Sequence, residues 1–102
     1  MTKKVYTLNE IKKKIGKILS NFPVEKAILF GSYANGSANN RSDIDLVVKF
    51  PEEFNVLDFL EVLELLTIKT KKDIDLIEER DIIRGGKIYN EVTNTGVIIY
   101  ER

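Results

Sequence analysis

Apolar residues near the start of the chain recur at helical spacing. Ile11, Ile15, Ile18, Leu19 and Phe22 fall on one side of a 3.6-residue helix, so one face is predicted to pack inward. Thr7 and Glu10 bracket the start of this helix in a Thr-x-x-Glu pattern whose side chains can satisfy free backbone N–H groups, and Pro23 is expected to end it. The short apolar run 26–30, Lys-Ala-Ile-Leu-Phe, predicts a buried strand cut off by Gly31-Ser32. From Ser32 to Ser42 the chain is rich in Gly, Asn and Ser, which predicts irregular backbone and tight turns. Ile44 to Phe50 reads as a second strand stopped by Pro51. Val56, Phe59, Leu60, Leu63 and Leu66 then place a strongly amphipathic helix over Asn55 to about Lys69. Asp73-Ile-Asp-Leu-Ile follows as a third strand. Residues 80–92 predict a short helix broken at Gly85-Gly86, and Val97 to Tyr100 a last strand.

Helices alternating with strands in so short a chain predict an α/β domain of the two-layer α+β kind, with a small mixed sheet of about four strands packed against helices. At 102 residues, one core is the limit, and residues 1–102 are expected to form a single domain. Such a fold class does not by itself select a chemistry.

Composition narrows the chemistry by exclusion. Neither cysteine nor histidine is present, so disulfides, thiolate or imidazole zinc sites, serine-histidine triads and histidine acid–base catalysis are all ruled out. Catalysis would have to use carboxylates, hydroxyls, Lys, Arg or an oxygen-bound metal. Sixteen basic and sixteen acidic side chains cancel, a poor match to a broad nucleic-acid footprint. The charges are nonetheless uneven. Lysines at 3, 4, 12, 13, 14 and 17 crowd the first helix, whereas Glu52, Glu53, Asp58, Glu61 and Glu64 make the middle acidic. These read first as two solvated helix faces and second as a charged partner surface. The basic start is not followed by a long apolar region, and no apolar run approaches the roughly 20 residues that span a bilayer. A cytoplasmic location is expected.

Asp43 and Asp45 flank Ile44 at the start of the second predicted strand, and side chains two apart on a strand share a face. Their carboxylates converge, which is costly unless a cation lies between them or they face open solvent. An all-oxygen pair suits Mg²⁺, which keeps several waters and takes one or two carboxylates together with substrate phosphates. A bare Asp-x-Asp also begins strands as solvated acids, so further features have to decide. Gly31-Ser32, directly after a buried strand, is one. Without a Cβ the backbone can bring N–H groups to phosphate oxygens, and the serine hydroxyl adds a donor. Gly36 reads instead as a turn residue that needs a positive φ. Asp75 is the other feature, beginning the apolar end of the third strand as Asp45 does on the second. If those strands are neighbours, a third carboxylate completes a site for two metals about 3.5–4 Å apart. Asp73 shares its face but reads better as a polar strand start.

Gly31-Ser32, ten residues, Asp43-x-Asp45 and a later Asp75 together resemble the nucleotidyltransferase superfamily that includes DNA polymerase β. The stretch from Gly31 to Val48 is similar, more closely, to the minimal nucleotidyltransferases of bacteria and archaea. The resemblance implies transfer of a nucleoside monophosphate, AMP from ATP, onto a hydroxyl. It further implies two Mg²⁺ ions held by Asp43, Asp45 and Asp75, with Asp75 helping to deprotonate the attacking hydroxyl and Gly31 and Ser32 holding the triphosphate. Many members carry a basic residue where this chain has Asn35, so a cation near the phosphates is either missing or supplied by Arg41. Members often pair with a helical HEPN toxin and adenylylate one of its tyrosines, which implies an antitoxin role and a HEPN-type partner. Aminoglycoside nucleotidyltransferases are more distant, since they add a helical domain. Two other readings stay open: a non-catalytic module that neutralises a partner by complex formation, and a transferase acting on a small molecule or an RNA end.

Overall fold

The computed structural model describes residues 2–102. Helix α1 spans Leu8–Leu19 and begins with the expected capping box: the Thr7 N–H donates to Glu10 Oε1 at 2.9 Å and the Glu10 N–H to Thr7 Oγ1 at 3.1 Å. It ends before Phe22, earlier than Pro23 alone suggested. Ser20 Oγ and Asn21 Nδ2 both donate to the Lys17 carbonyl and unwind the last turn, and a proline disfavours helical backbone in the residue before it. Strand β1 is Lys26–Phe30, and β2 is Ile44–Lys49. Between them lies α2, a single turn over Ser32–Asn35 that polar composition had concealed, closed by Gly36 at φ 84°. Helix α3, Val56–Thr70, is capped by Asn55, whose Oδ1 accepts from the Leu57 N–H at 2.9 Å, and ends at Lys71 in the left-handed region. Strand β3, Ile74–Glu78, runs into a 3₁₀ turn at Glu79–Asp81. Helix α4, Lys87–Thr95, and strand β4, Val97–Glu101, complete the described chain.

The expected helix over 80–92 is therefore displaced. Gly85 at φ 81° and the extended Gly86 prevent helix before residue 87, and nothing stops it again until Gly96.

The sheet order is β3-β2-β1-β4. β1 is antiparallel to β2 and β4, while β2 and β3 are parallel, with α3 as the crossover that a parallel pair requires. Alternation along the strands gives the sheet two different faces. Ala27, Leu29, Ile44, Leu46 and Val48 meet Ile11, Ile15 and Leu19 of α1 and Val62 and Leu66 of α3 in the buried core. Phe30, Asp45, Val47, Asp75 and Ile77 alternate out of phase with that set and belong to the opposite face, over which α4 lies. Helix α3 also departs from its expected orientation: it turns Val62, Leu66 and Thr70 inward and leaves Val56, Leu57, Leu60 and Ile68 more than half exposed. Its apolar residues lie on several sides, so contact with the sheet, not periodicity, selects the buried face.

Glu78 fastens the parallel pair. Its buried carboxylate accepts from the Phe50 N–H at 2.8 Å, the Arg80 N–H at 2.9 Å and Arg80 Nε at 3.0 Å, while the guanidinium lies 4.4 Å from the Phe54 ring centroid. These charge-assisted bonds join the ends of β2 and β3 and support a register that matters at the strands' beginnings. Among the described residues no helix is long and apolar enough to cross a membrane.

Candidate active site

The parallel register sets Asp45 directly opposite Asp75, and the antiparallel register sets it opposite Phe30, the residue before Gly31. The condition on which a third carboxylate depended, adjacency of the two strands, is met. Gly31 has φ 72° and ψ −153°, a backbone region open essentially to glycine alone. A Cβ at this position would also overlap Asp45 Oδ2, so the missing side chain is what lets the carboxylate lie against the backbone. Ser32 follows at once as the first residue of α2.

Gly31, Ser32 and Asp45 open into a cleft of about 620 Å³. Gly31, Ser32, Asn35 and Asp45 form one wall, and Lys87, Asn90, Glu91, Asn94 and Thr95 of α4 form the other. The electrostatics are dominated by carboxylates. Burial, then the nearby charges of Asp75, Asp43 and Glu91, push the Asp45 carboxyl up to about 6. Ionised at neutral pH, Asp45 holds a charge that its surroundings oppose, a condition a cation relieves. Among the described residues no three acidic side chains form a ready-made metal-holding cluster. The donor set instead fits a hard cation that takes one or two carboxylates and fills its shell with water and phosphate oxygens, as Mg²⁺ does.

Of the residues singled out by sequence, Gly31, Ser32 and Asp45 line the cleft, and Asp75 stands beside Asp45 in the sheet. Asp43 is exposed just before β2, and its charge is felt at Asp45. Asp73 contributes its carbonyl to the Ile44 N–H at 3.0 Å, in keeping with a strand start. Arg41 is exposed on the preceding turn, where its N–H donates to Asn39 Oδ1 at 2.8 Å, and is not among the residues lining the cleft. Asn35 does line it, with Oδ1 accepting from the Ser37 N–H at 2.9 Å. Sequence reasoning missed the α4 wall. Its only signal was a row of polar residues at 87, 90, 91 and 94, one face of a helix whose start had been set too early.

A mixed sheet that sets paired carboxylates beside a Gly-Ser turn defines a nucleotidyltransferase core. Residues 13–102 match the sequence model of the family described as Polymerase beta, Nucleotidyltransferase, and the chain belongs to that family. It is 35% identical over 89 residues to a candidate protein adenylyltransferase of Methanocaldococcus jannaschii, covering 85% of this chain and 96% of the relative. It is 32% identical over 69 residues to the protein adenylyltransferase MntA of Thermococcus cleftensis, covering 68% and 70%. A crystal structure of a toxin–antitoxin with AMP-PNP superposes with a TM-score of 0.75 at 25% identity, over 89% of this chain and 73% of that one.

Proposed function

We propose that the chain is a Mg²⁺-dependent protein adenylyltransferase that moves AMP from ATP to a tyrosine hydroxyl of a helical, HEPN-type toxin and so acts as an antitoxin in the cytoplasm. The observation that carries this reading is Asp45, which lines a cleft with Gly31 and Ser32 and is paired with Asp75 in the sheet. The relatives' names, and the AMP-PNP in a structurally similar antitoxin complex, support the nucleotide and the partner.

In this reading Gly31 and Ser32 cradle the triphosphate through backbone N–H groups and the serine hydroxyl. Arg41, two residues before Asp43, adds positive charge to the loop. Asp43 and Asp45 would hold two Mg²⁺ ions with Asp75, and the metal supplies charge neutralisation of the phosphates when bound. Asp75 accepts the proton of the attacking hydroxyl. As the new oxygen–phosphorus bond forms at the α-phosphate, the bond to the pyrophosphate oxygen breaks and pyrophosphate leaves. The cleft wall opposite Gly31 is one nine-residue helix, and in this reading the acceptor hydroxyl is brought by the partner.

The test is incubation of the purified chain with Mg²⁺, ATP labelled at the α-phosphate and the protein encoded beside it. Label on that protein, lost with Asp45→Asn, is the expected result. A stable complex without label would favour the non-catalytic module, and label on an RNA or small acceptor alone would favour the third reading.

A further inference from the structure

Triphosphate carries several negative charges, and a cleft walled by Asp45 and Glu91 adds two more, so a bound nucleotide calls for protein cations as well as metal. Among the residues lining the cleft the only cationic side chain is Lys87. Its place is unfavourable for a merely structural lysine. It is the first residue of α4, where the helix dipole disfavours positive charge, and the first turn contains no acid to offset it. The ion pairs among the described residues are Lys4–Glu10 and Arg80–Glu78, so Lys87 is not engaged in one. A residue that opposes its local structure and faces the site is the pattern expected of function.

We infer that Lys87 binds the phosphates of the nucleotide, supplying from α4 the positive charge that Asn35 does not supply from α2. The inference rests on the nucleotidyltransferase reading and adds to it a residue outside the Gly-Ser and Asp-x-Asp motifs. It also gives α4 a role: the helix that covers the working face of the sheet brings a cation to the substrate.

The experiment is calorimetric titration of the full chain, and of Lys87→Gln and Lys87→Arg, with AMP-PNP and Mg²⁺, alongside NMR titration with adenosine, which has the base and ribose but no charge. Lys87→Gln is expected to weaken AMP-PNP about tenfold or more, as loss of a charge-assisted contact does, while adenosine affinity stays unchanged and the melting temperature holds or rises slightly as the charge leaves the helix N-terminus. Lys87→Arg should recover most of the loss. Unchanged AMP-PNP affinity in Lys87→Gln would overturn the inference. So would an equal loss for AMP-PNP and adenosine, or a Lys87→Arg chain as weak as Lys87→Gln. A wild-type chain that fails to bind AMP-PNP with Mg²⁺ would defeat the nucleotidyltransferase reading itself, a result separable from a failure confined to the variants.

Discussion

Asp45→Asn should make the metal-free chain more stable while abolishing its activity. The Asp45 carboxyl rises from its ordinary 3.8 to about 6 on folding, chiefly through burial and then through Asp75, Asp43 and Glu91. A carboxyl raised in the folded state binds more protons there than in the unfolded chain between about pH 4 and pH 6, so stability falls as pH rises through that window. Below it both states are protonated and the penalty vanishes; above it the penalty is complete. For a group cut off from water the rise would correspond to about 3 kcal/mol, but Asp45 still meets solvent in the cleft, and screening reduces this to about 1 kcal/mol. Asn removes the charge and keeps the shape. Urea unfolding in EDTA should therefore show the variant about 1 kcal/mol more stable at pH 7.5, roughly 4–8 °C in melting temperature for a domain of this size, with the gap closing towards pH 4. A gap independent of pH, or a variant less stable than wild type at pH 7.5, would refute the reasoning.

The other predictions follow from the same geometry. Gly31→Ala forces a side chain into a backbone region that costs about 1–3 kcal/mol and displaces the Asp45 carboxylate, so both the denaturation midpoint and AMP-PNP affinity should fall. Asp75→Asn should cut turnover by about a hundredfold or more with little change in nucleotide dissociation constant, whereas Ser32→Ala should weaken binding and turnover together; single-turnover kinetics beside calorimetry separates the two. Glu78→Ala strands the buried Phe50 N–H and removes the acceptor of Arg80 Nε, and should cost about 1–3 kcal/mol in urea unfolding.

Much of this was legible in the sequence because it depends on local rules. The capping box at Thr7 and Glu10, the strand cores and the turn role of Gly36 each follow from a few neighbouring residues. What escaped depends on partners far along the chain. No periodicity distinguishes the exposed Leu60 of α3 from the buried Val62, since the choice is made by the sheet beneath. Glu78 looks like any strand-end acid until Phe50 and Arg80 are brought to it. The wall formed by α4 was hidden because a helix start placed at residue 80 gives the wrong face, and Gly85 and Gly86 move it to residue 87.

The two faces of the sheet divide the labour of a small domain. Packing α1 and α3 on one face gathers Ala27, Leu29, Ile44, Leu46, Val48 and Ile99 of the strands into a single core, which is what a chain of 102 residues needs for stability. The other face is then free to carry charge, and there Asp45 and Asp75 stand side by side, with the nine-residue α4 across the cleft from Asp45. The other wall of that cleft of about 620 Å³ is this one helix. The proposed dependence on a partner fits that arrangement: on the reading proposed above, the chain holds the nucleotide and the molecule to be modified completes the site.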